Sequence, residues 1–430
     1  MRTALVCLLC LLPLPALAQE FQETSFIFNT LLFLICGFLV MFMAAGFCML
    51  EAGLVRSSSV STICVKNIAL YSIAGAMFYF VGYNLMYSEV NGGWFGIPGI
   101  WAASDMGENG LQGSVASGSD WFFQMVFVAT AASIVSGTIA ERVKLWSFLV
   151  FVVILTGLLY PVTGAWTWGE GWLYERGFSD FAGSTIVHSV GGWAALVAVL
   201  LIGPRRGRFT PQGRSVPMPG SSLPLATLGT FVLWLGWFGF NGGSQLALGT
   251  GADAVAISNI FINTNMGAVG GLLAAMVLTQ ITFKKVDPTL TLNGALAGLV
   301  SITAEPLMPT PGIAMAIGAC GGALMFITVL ALDKRCIDDV VGAIPVHLVC
   351  GIWGTLAVPL TNPKADIIVQ LLGVSAIGAF TLITSLVALL IIQRVMGLRV
   401  SAETEERGVD QSEVGLDAYP EFVRASSMMK

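Results

Sequence analysis

The sequence predicts an all-α membrane protein of eleven transmembrane helices, arranged as an inverted repeat of five plus five helices. Three observations carry this. The chain is 56% hydrophobic and only 10% charged, with a mean hydropathy of +0.82. Apolar runs near the length of a membrane span recur along almost the whole chain. A short motif built on Asp and His occurs twice, 159 residues apart, and its copies hold both histidines of the 430 residues.

The composition excludes a monomeric water-soluble domain, and nothing in it points to nucleic acid. The net charge of −5 sits mostly in loops and in the tail. Residues 1–18 read as a secretory signal peptide. Arg2 supplies the positive end, Ala4 to Leu12 the apolar centre and Ala16-Leu17-Ala18 the cleavage site, so the mature chain begins at Gln19. An uncleaved first helix is the other reading. Cys7 and Cys10 leave with the signal. Cys36, Cys48, Cys64, Cys320, Cys336 and Cys350 lack metal-ligand spacing and, lying mostly in apolar runs, are expected as buried thiols.

The expected spans are 26–54, 63–88, 121–140, 145–166, 183–202, 223–245, 254–282, 289–304, 312–332, 340–360 and 366–396. The eighth is short. Orientation follows from basic residues. With the mature N-terminus outside, the inner loops carry Arg56, Lys66, Arg142, Lys144, Arg205, Arg206, Arg208, Arg214, Lys284, Lys285, Lys334 and Arg335. The outer loops carry Arg176 and Lys364, and an odd span count places the C-terminus inside. The 89–120 loop, with Glu89, Asp105, Glu108 and Asp120, is external and mildly attractive to cations. Glu141-Arg142 reads as an interfacial anchor. The tail, 398–430, is polar and outside the bundle, and its composition leans towards disorder rather than a folded cap.

The motif copies are Asp180-Phe-Ala-Gly-Ser-Thr-Ile-Val-His188 and Asp339-Val-Val-Gly-Ala-Ile-Pro-Val-His347. Each is followed by x-Val-(Gly or Cys)-Gly with a Trp nearby. They fall in spans five and ten, so the halves run with opposite topology, as in transporters with a path at the midplane. Eight residues of helix rise about 12 Å. One His therefore lies about 12 Å from each face of a core ~30 Å thick, and the two can meet.

Ionisable residues inside a membrane are functional candidates. Two adjacent imidazoles accept a substrate N–H and relay a proton. The bland alternative is two separately satisfied helix-packing residues. A different class is a bis-histidine haem protein for electron transfer. Zinc lacks ligands.

The chain resembles the ammonium transporter family (Amt/Mep/Rh), on the Amt side. The resemblance rests on Asp180–His188, Gly236-Trp237-Phe-Gly-Phe240-Asn241-Gly-Gly-Ser244, Gly137-Thr-Ile-Ala-Glu141-Arg142, Val346–Trp353 and the tail Gly397–Asp410, in order along the mature chain. It implies that His188 and His347 are the pore pair and Trp237 a pore-lining residue. Phe127 and Phe240 would be the stacked outer gate. Trp168, Phe127, Ser244 and Asp180 would form or adjoin the external recruitment site. It also implies a homotrimer with one pore per subunit, no cofactor, and block from inside by a PII-type signalling protein at the inner loops and Leu398–Asp410. A multi-pass protein of the bacterial inner membrane, transporting and not an enzyme, is the expectation. A sensor that binds ammonium and signals through its tail is the alternative within the family.

The residue chemistry agrees. Ring faces attract a small cation by roughly 0.5–2 kcal/mol each, and Ser244 offers an acceptor. Taken alone, each aromatic reads as core or interface belt. Asp180 suits helix capping, proton handling or both, and Asp339 capping only. Three departures stand out: Pro345, which should kink its helix start; Gly342, where some relatives have aspartate; and Glu305, read as a surface carboxylate at an outer helix end.

Overall fold

The computed structural model describes residues 14–107 and 110–421. Most of the expected signal peptide, residues 1–13, lies outside them. Residues 14–18 form the beginning of the first helix, α1 (Leu14–Leu54).

Among the described residues nine helices are long and apolar enough to cross a membrane. They are α1, α2 (Ser57–Tyr87), α3 (Ser117–Thr138), α4 (Leu145–Ala165), α5 (Ser184–Ile202), α6 (Leu223–Gly243), α7 (Gly251–Phe283), α9 (Pro311–Lys334) and α11 (Ile367–Val395). Two apolar helices are shorter, α8 (Pro288–Ile302) and α10 (Ile344–Leu360). Each coincides with an expected span within about six residues at the ends, except that α1 begins twelve residues earlier. Local signals set several boundaries. Thr250 and Asp253 close a reciprocal capping box at the start of α7, and Asp287 and Thr310 cap α8 and α9, each followed by proline.

The exterior is apolar: Phe38, Phe42, Ile68, Trp146, Ile281 and Ile368 are exposed. Asn241, Thr264, Glu51 and Lys66 are buried. A chain that shows hydrocarbon outside and satisfies polar groups inside suits lipid as its solvent. Helix α1 packs along α6 and α3, while α7, α8 and α9 pack on one another. Helices α5 and α10 meet between these groups.

Five sequence expectations are corrected. Lys66 belongs to a helix rather than a loop and is 1% exposed. Glu141-Arg142 is not an interfacial anchor but the centre of a buried ionic cluster. Glu141 pairs with Arg56 and, at 3.0 Å, with Arg205, which also grips Asp338 through Nε at 2.8 Å and Nη2 at 3.0 Å. Arg142, fully buried, donates to the carbonyls of Gly203 and Asp338; burial lowers its pKa to about 10. The tail is folded through residue 421, with α12 (Ala402–Arg407) and α13 (Asp410–Glu413). Its carboxylates cap loop and helix backbone: Asp410 accepts from Ser61 and Thr62, Glu405 from Arg206, and Glu413 from Leu145. The tail thus packs by satisfying backbone donors as well as by burying Leu398, Val400 and Val409. Glu305 is buried, taking Nδ2 of Asn362 at 2.8 Å, and burial raises its pKa. Of the six thiols, only Cys36 and Cys350 are buried, while Cys64 and Cys320 are exposed.

Candidate transport site

The two motif copies build the same local structure. Asp180 Oδ1 accepts from the N–H groups of Gly183 and Ser184, and Oδ2 from Thr185 and Ile186, at 2.8–3.1 Å. Asp339 accepts from Gly342 and Ile344. A helix start leaves such donors orphaned, so both carboxylates act as caps. Burial raises both pKa values to about 6, against the lowering effect of these N–H groups.

A glycine with positive φ follows each cap, Gly183 at 104° and Gly342 at 78°. Each helix then opens with a wide π-type turn, Ser184–Ser189 and Ile344–Val349, and each histidine lies inside it. The turn occurs in both copies while proline occurs in one, so Pro345 is not its cause. Pro345 sits early enough that its missing N–H is tolerated.

The glycine four residues after each histidine lets the helices touch. A Cβ on Gly192 would fall 2.6 Å from the Leu348 backbone nitrogen, and one on Gly351 would fall 2.3 Å from the Ser184 carbonyl. This reciprocal contact, with Thr185 Oγ1 2.6 Å from Thr355 Oγ1, brings the histidines together. His188 Nδ1 and His347 Nδ1 are 3.2 Å apart, and the rings stack with centroids 5.2 Å apart. His188 is fully buried and its Nε2 has no protein partner. A hydrogen bond between the two nitrogens leaves no room for a metal between them, since metal–imidazole bonds of about 2 Å would require ~4 Å. The haem reading does not fit this geometry.

Aromatic rings flank the pair. Trp237 stacks on His188 at 4.9 Å, and its Nε1 donates to Thr303 Oγ1 at 2.8 Å. Phe240 lies 5.2 Å from the His188 ring and stacks on Phe127 at 4.1 Å. Trp168 meets Phe127 edge to face at 6.0 Å. Phe47, absent from the sequence expectations, lies 6.1 Å from His347.

Outside the phenylalanine stack is a cavity of ≈ 530 Å³. Phe127, Trp168, Asp180 and Ser244 all line it, together with Asp120 and Glu170. Trp168 spends its indole N–H on the Asp180 carbonyl and so offers a ring face. Ser244 donates its hydroxyl proton to the Phe240 carbonyl at 2.8 Å, which leaves oxygen lone pairs for a donor. Asp180, Ser244, Trp168 and Phe127 thus line the cavity, Phe240 lies between Phe127 and His188, and Trp237 and His347 both stack on His188.

The model of the Ammonium Transporter Family matches residues 31–419. Ammonium transporter Amt2 of Archaeoglobus fulgidus is 40% identical, covering 91% of this chain and 88% of its own. The ammonium transporter of Bacillus subtilis is 31% identical, covering 91% and 98%. Among solved structures, a sensor Amt protein superposes with a TM-score of 0.85 at 35% identity, covering 91% and 99%. Candida albicans Mep2 superposes with a TM-score of 0.80 at 25% identity, covering 89% and 88%. With the family model spanning nearly all of the described bundle and tail, the chain belongs to the ammonium transporter family and is a multi-pass membrane transporter.

Proposed function

We propose that this chain carries ammonium inward across a bacterial inner membrane by splitting it into ammonia and a proton. Trp168, Phe127 and Ser244 recruit NH4+ in the outer cavity, and Asp180 holds the frame beneath. Beyond the Phe127–Phe240 stack the cation meets apolar surroundings. A buried cation without a counter-ion is costly, so its pKa falls and it releases its proton. Ammonia passes His188, Trp237 and His347, and the proton follows over the two imidazoles, giving net charge movement. Beyond this proton transfer no bond changes, so the chain is not an enzyme in this reading. The observation that carries the reading is the 3.2 Å His188–His347 contact directly behind the stacked rings.

The rest of the reading follows from sequence and family. The signal peptide is removed after Ala18, and the mature chain crosses the membrane eleven times, counting α8 and α10. Its N-terminus is outside, its C-terminus inside, and its five-helix halves are inverted. The shared build of the two Asp–His starts supports the repeat. The chain assembles as a homotrimer with a pore in each subunit. The tail, 398–430, lies on the inner face, where it and the inner loops would receive a PII-type partner.

Likeness to a sensor Amt protein favours one second reading, ammonium binding that signals through the folded tail. Entry of isotope-labelled ammonium into proteoliposomes separates the two. Label accumulating above protein-free vesicles supports transport. Ammonium binding without entry removes transport and leaves the sensor.

A further inference from the structure

Cavities continue on the side of the histidine pair away from Phe127. A small one of ≈ 10 Å³ adjoins His347 and is lined mainly by Phe47, Leu50, Ile134 and Leu296. That is about the room one water-sized molecule needs. Through Asn293, Val341 and Gly342 it borders a larger cavity of ≈ 400 Å³ that carries Arg208, Asp287 and Asp339. One carboxylate, Glu51, lines the small cavity.

Glu51 is 1% exposed. Its Oε2 accepts the Ser136 hydroxyl at 2.7 Å and faces Lys66 Nζ at 3.7 Å. Lys66 is 1% exposed as well, donates to the Ser136 carbonyl at 2.6 Å and lies over the Phe148 ring. Glu51 Oε1 is buried and accepts no well-formed hydrogen bond, with the Asn67 amide on its flank. A buried carboxylate oxygen without a donor is costly and calls for one. An ion pair kept only for stability would be as well served by apolar residues of like volume. Here the free oxygen belongs to a residue that lines a one-molecule cavity shared with the second histidine.

We propose that Glu51, with Lys66 as its counter-ion, is the proton relay residue beyond the histidine pair and binds the ammonia that emerges there. The inference rests on the transport reading above. The proton carried on His347 passes to Glu51 Oε1, which returns the imidazole to neutrality and makes a carboxylic acid. Ammonia in the small cavity then takes that proton with its lone pair, leaving the carboxylate and NH4+, which departs through the larger cavity. The sum is one imidazolium and one ammonia giving imidazole and ammonium.

The test uses the full chain in proteoliposomes and reads charge moved per labelled ammonium entering. The variants are Glu51→Gln, Glu51→Asp and the double change Glu51→Gln with Lys66→Met, which removes both charges so that neither is left buried alone. Loss of a positioned proton-transfer group lowers charge movement by about a hundredfold, so Glu51→Gln and the double variant should fall by that order while Glu51→Asp keeps part of it. If Glu51→Gln fails to fold, the double variant decides. A double variant that moves charge as wild type does overturns the relay, as does wild type that admits label without current. Wild type that admits no label overturns the transport reading instead.

Discussion

Asp180 offers the sharpest separation of structural from chemical roles. Its two oxygens take four backbone N–H groups, two each. Asp180→Ala leaves those four donors unpaired at a buried site, at roughly 1–3 kcal/mol each, or about 4–12 kcal/mol before any water enters. The folded pKa of about 6, some two units above the ordinary 3.8, already includes the lowering by these four bonds, so relief of the buried charge offsets part of that loss. Asp180→Asn keeps one oxygen and its two bonds, but turns an NH2 towards the other two donors. Two bonds to a charged group are worth about 3–6 kcal/mol before the same kind of offset, so Asn loses less than Ala. The sign of the pH effect follows. Because the fold raises this pKa, it favours the protonated form, and Asp180 contributes less stability as pH climbs from about 4 to about 6, then stays level. Thermal unfolding of purified protein in detergent at pH 7.5 should rank wild type above Asn above Ala. Asp180→Ala unfolding at the wild-type temperature would refute the capping role.

Phe240→Ala removes the ring that stacks on Phe127 at 4.1 Å and approaches His188 at 5.2 Å; a potassium current absent in wild type should appear in voltage-clamped membranes, and unchanged ammonium-over-potassium selectivity would count against a gate. Arg205→Lys breaks the two-nitrogen grip on Asp338 and the bond to Glu141. Glu141 keeps Arg56 and Asp338 keeps Arg208, so the loss is that of the bonds a lysine cannot make, about 1–3 kcal/mol, seen as earlier melting. Burial pushes the Asp338 pKa up, but Arg205 and Arg142 outweigh it and hold the carboxyl at about 2, so this stabilisation is present above pH ~4 and fades only as pH falls through about 2. Glu405→Gln weakens the bonds to Arg206 and Arg399 that fasten α12; limited proteolysis should then cut within 402–413 faster than in wild type, and equal rates would show that the tail is held elsewhere.

The histidine pair was legible in the sequence because its signal is sparse: two histidines, each eight residues after an aspartate. Helix geometry then places them together without any knowledge of partners. The apolar runs were legible for the same local reason, and even the short eighth helix was found where expected. The ionic cluster was not. Glu141 finds Arg56 and Arg205, 85 and 64 residues away, and no local pattern reports that distance. The tail misled because its carboxylates work as caps on backbone donors of the α2 and α4 starts, which hydropathy does not register. Glu305 was misjudged for a related reason, since its partner Asn362 comes from a distant loop. Glu51 and Lys66 did carry a usable signal: an acid near the end of one apolar run and a base fifteen residues on, each too deep to reach water.

The most direct test is ammonium-evoked current in reconstituted wild type beside His188→Ala and His347→Ala in matched membranes. Proton passage over the 3.2 Å contact predicts a wild-type current that either substitution abolishes or strips of its selectivity for ammonium. A current of unchanged size and selectivity in both variants would contradict it.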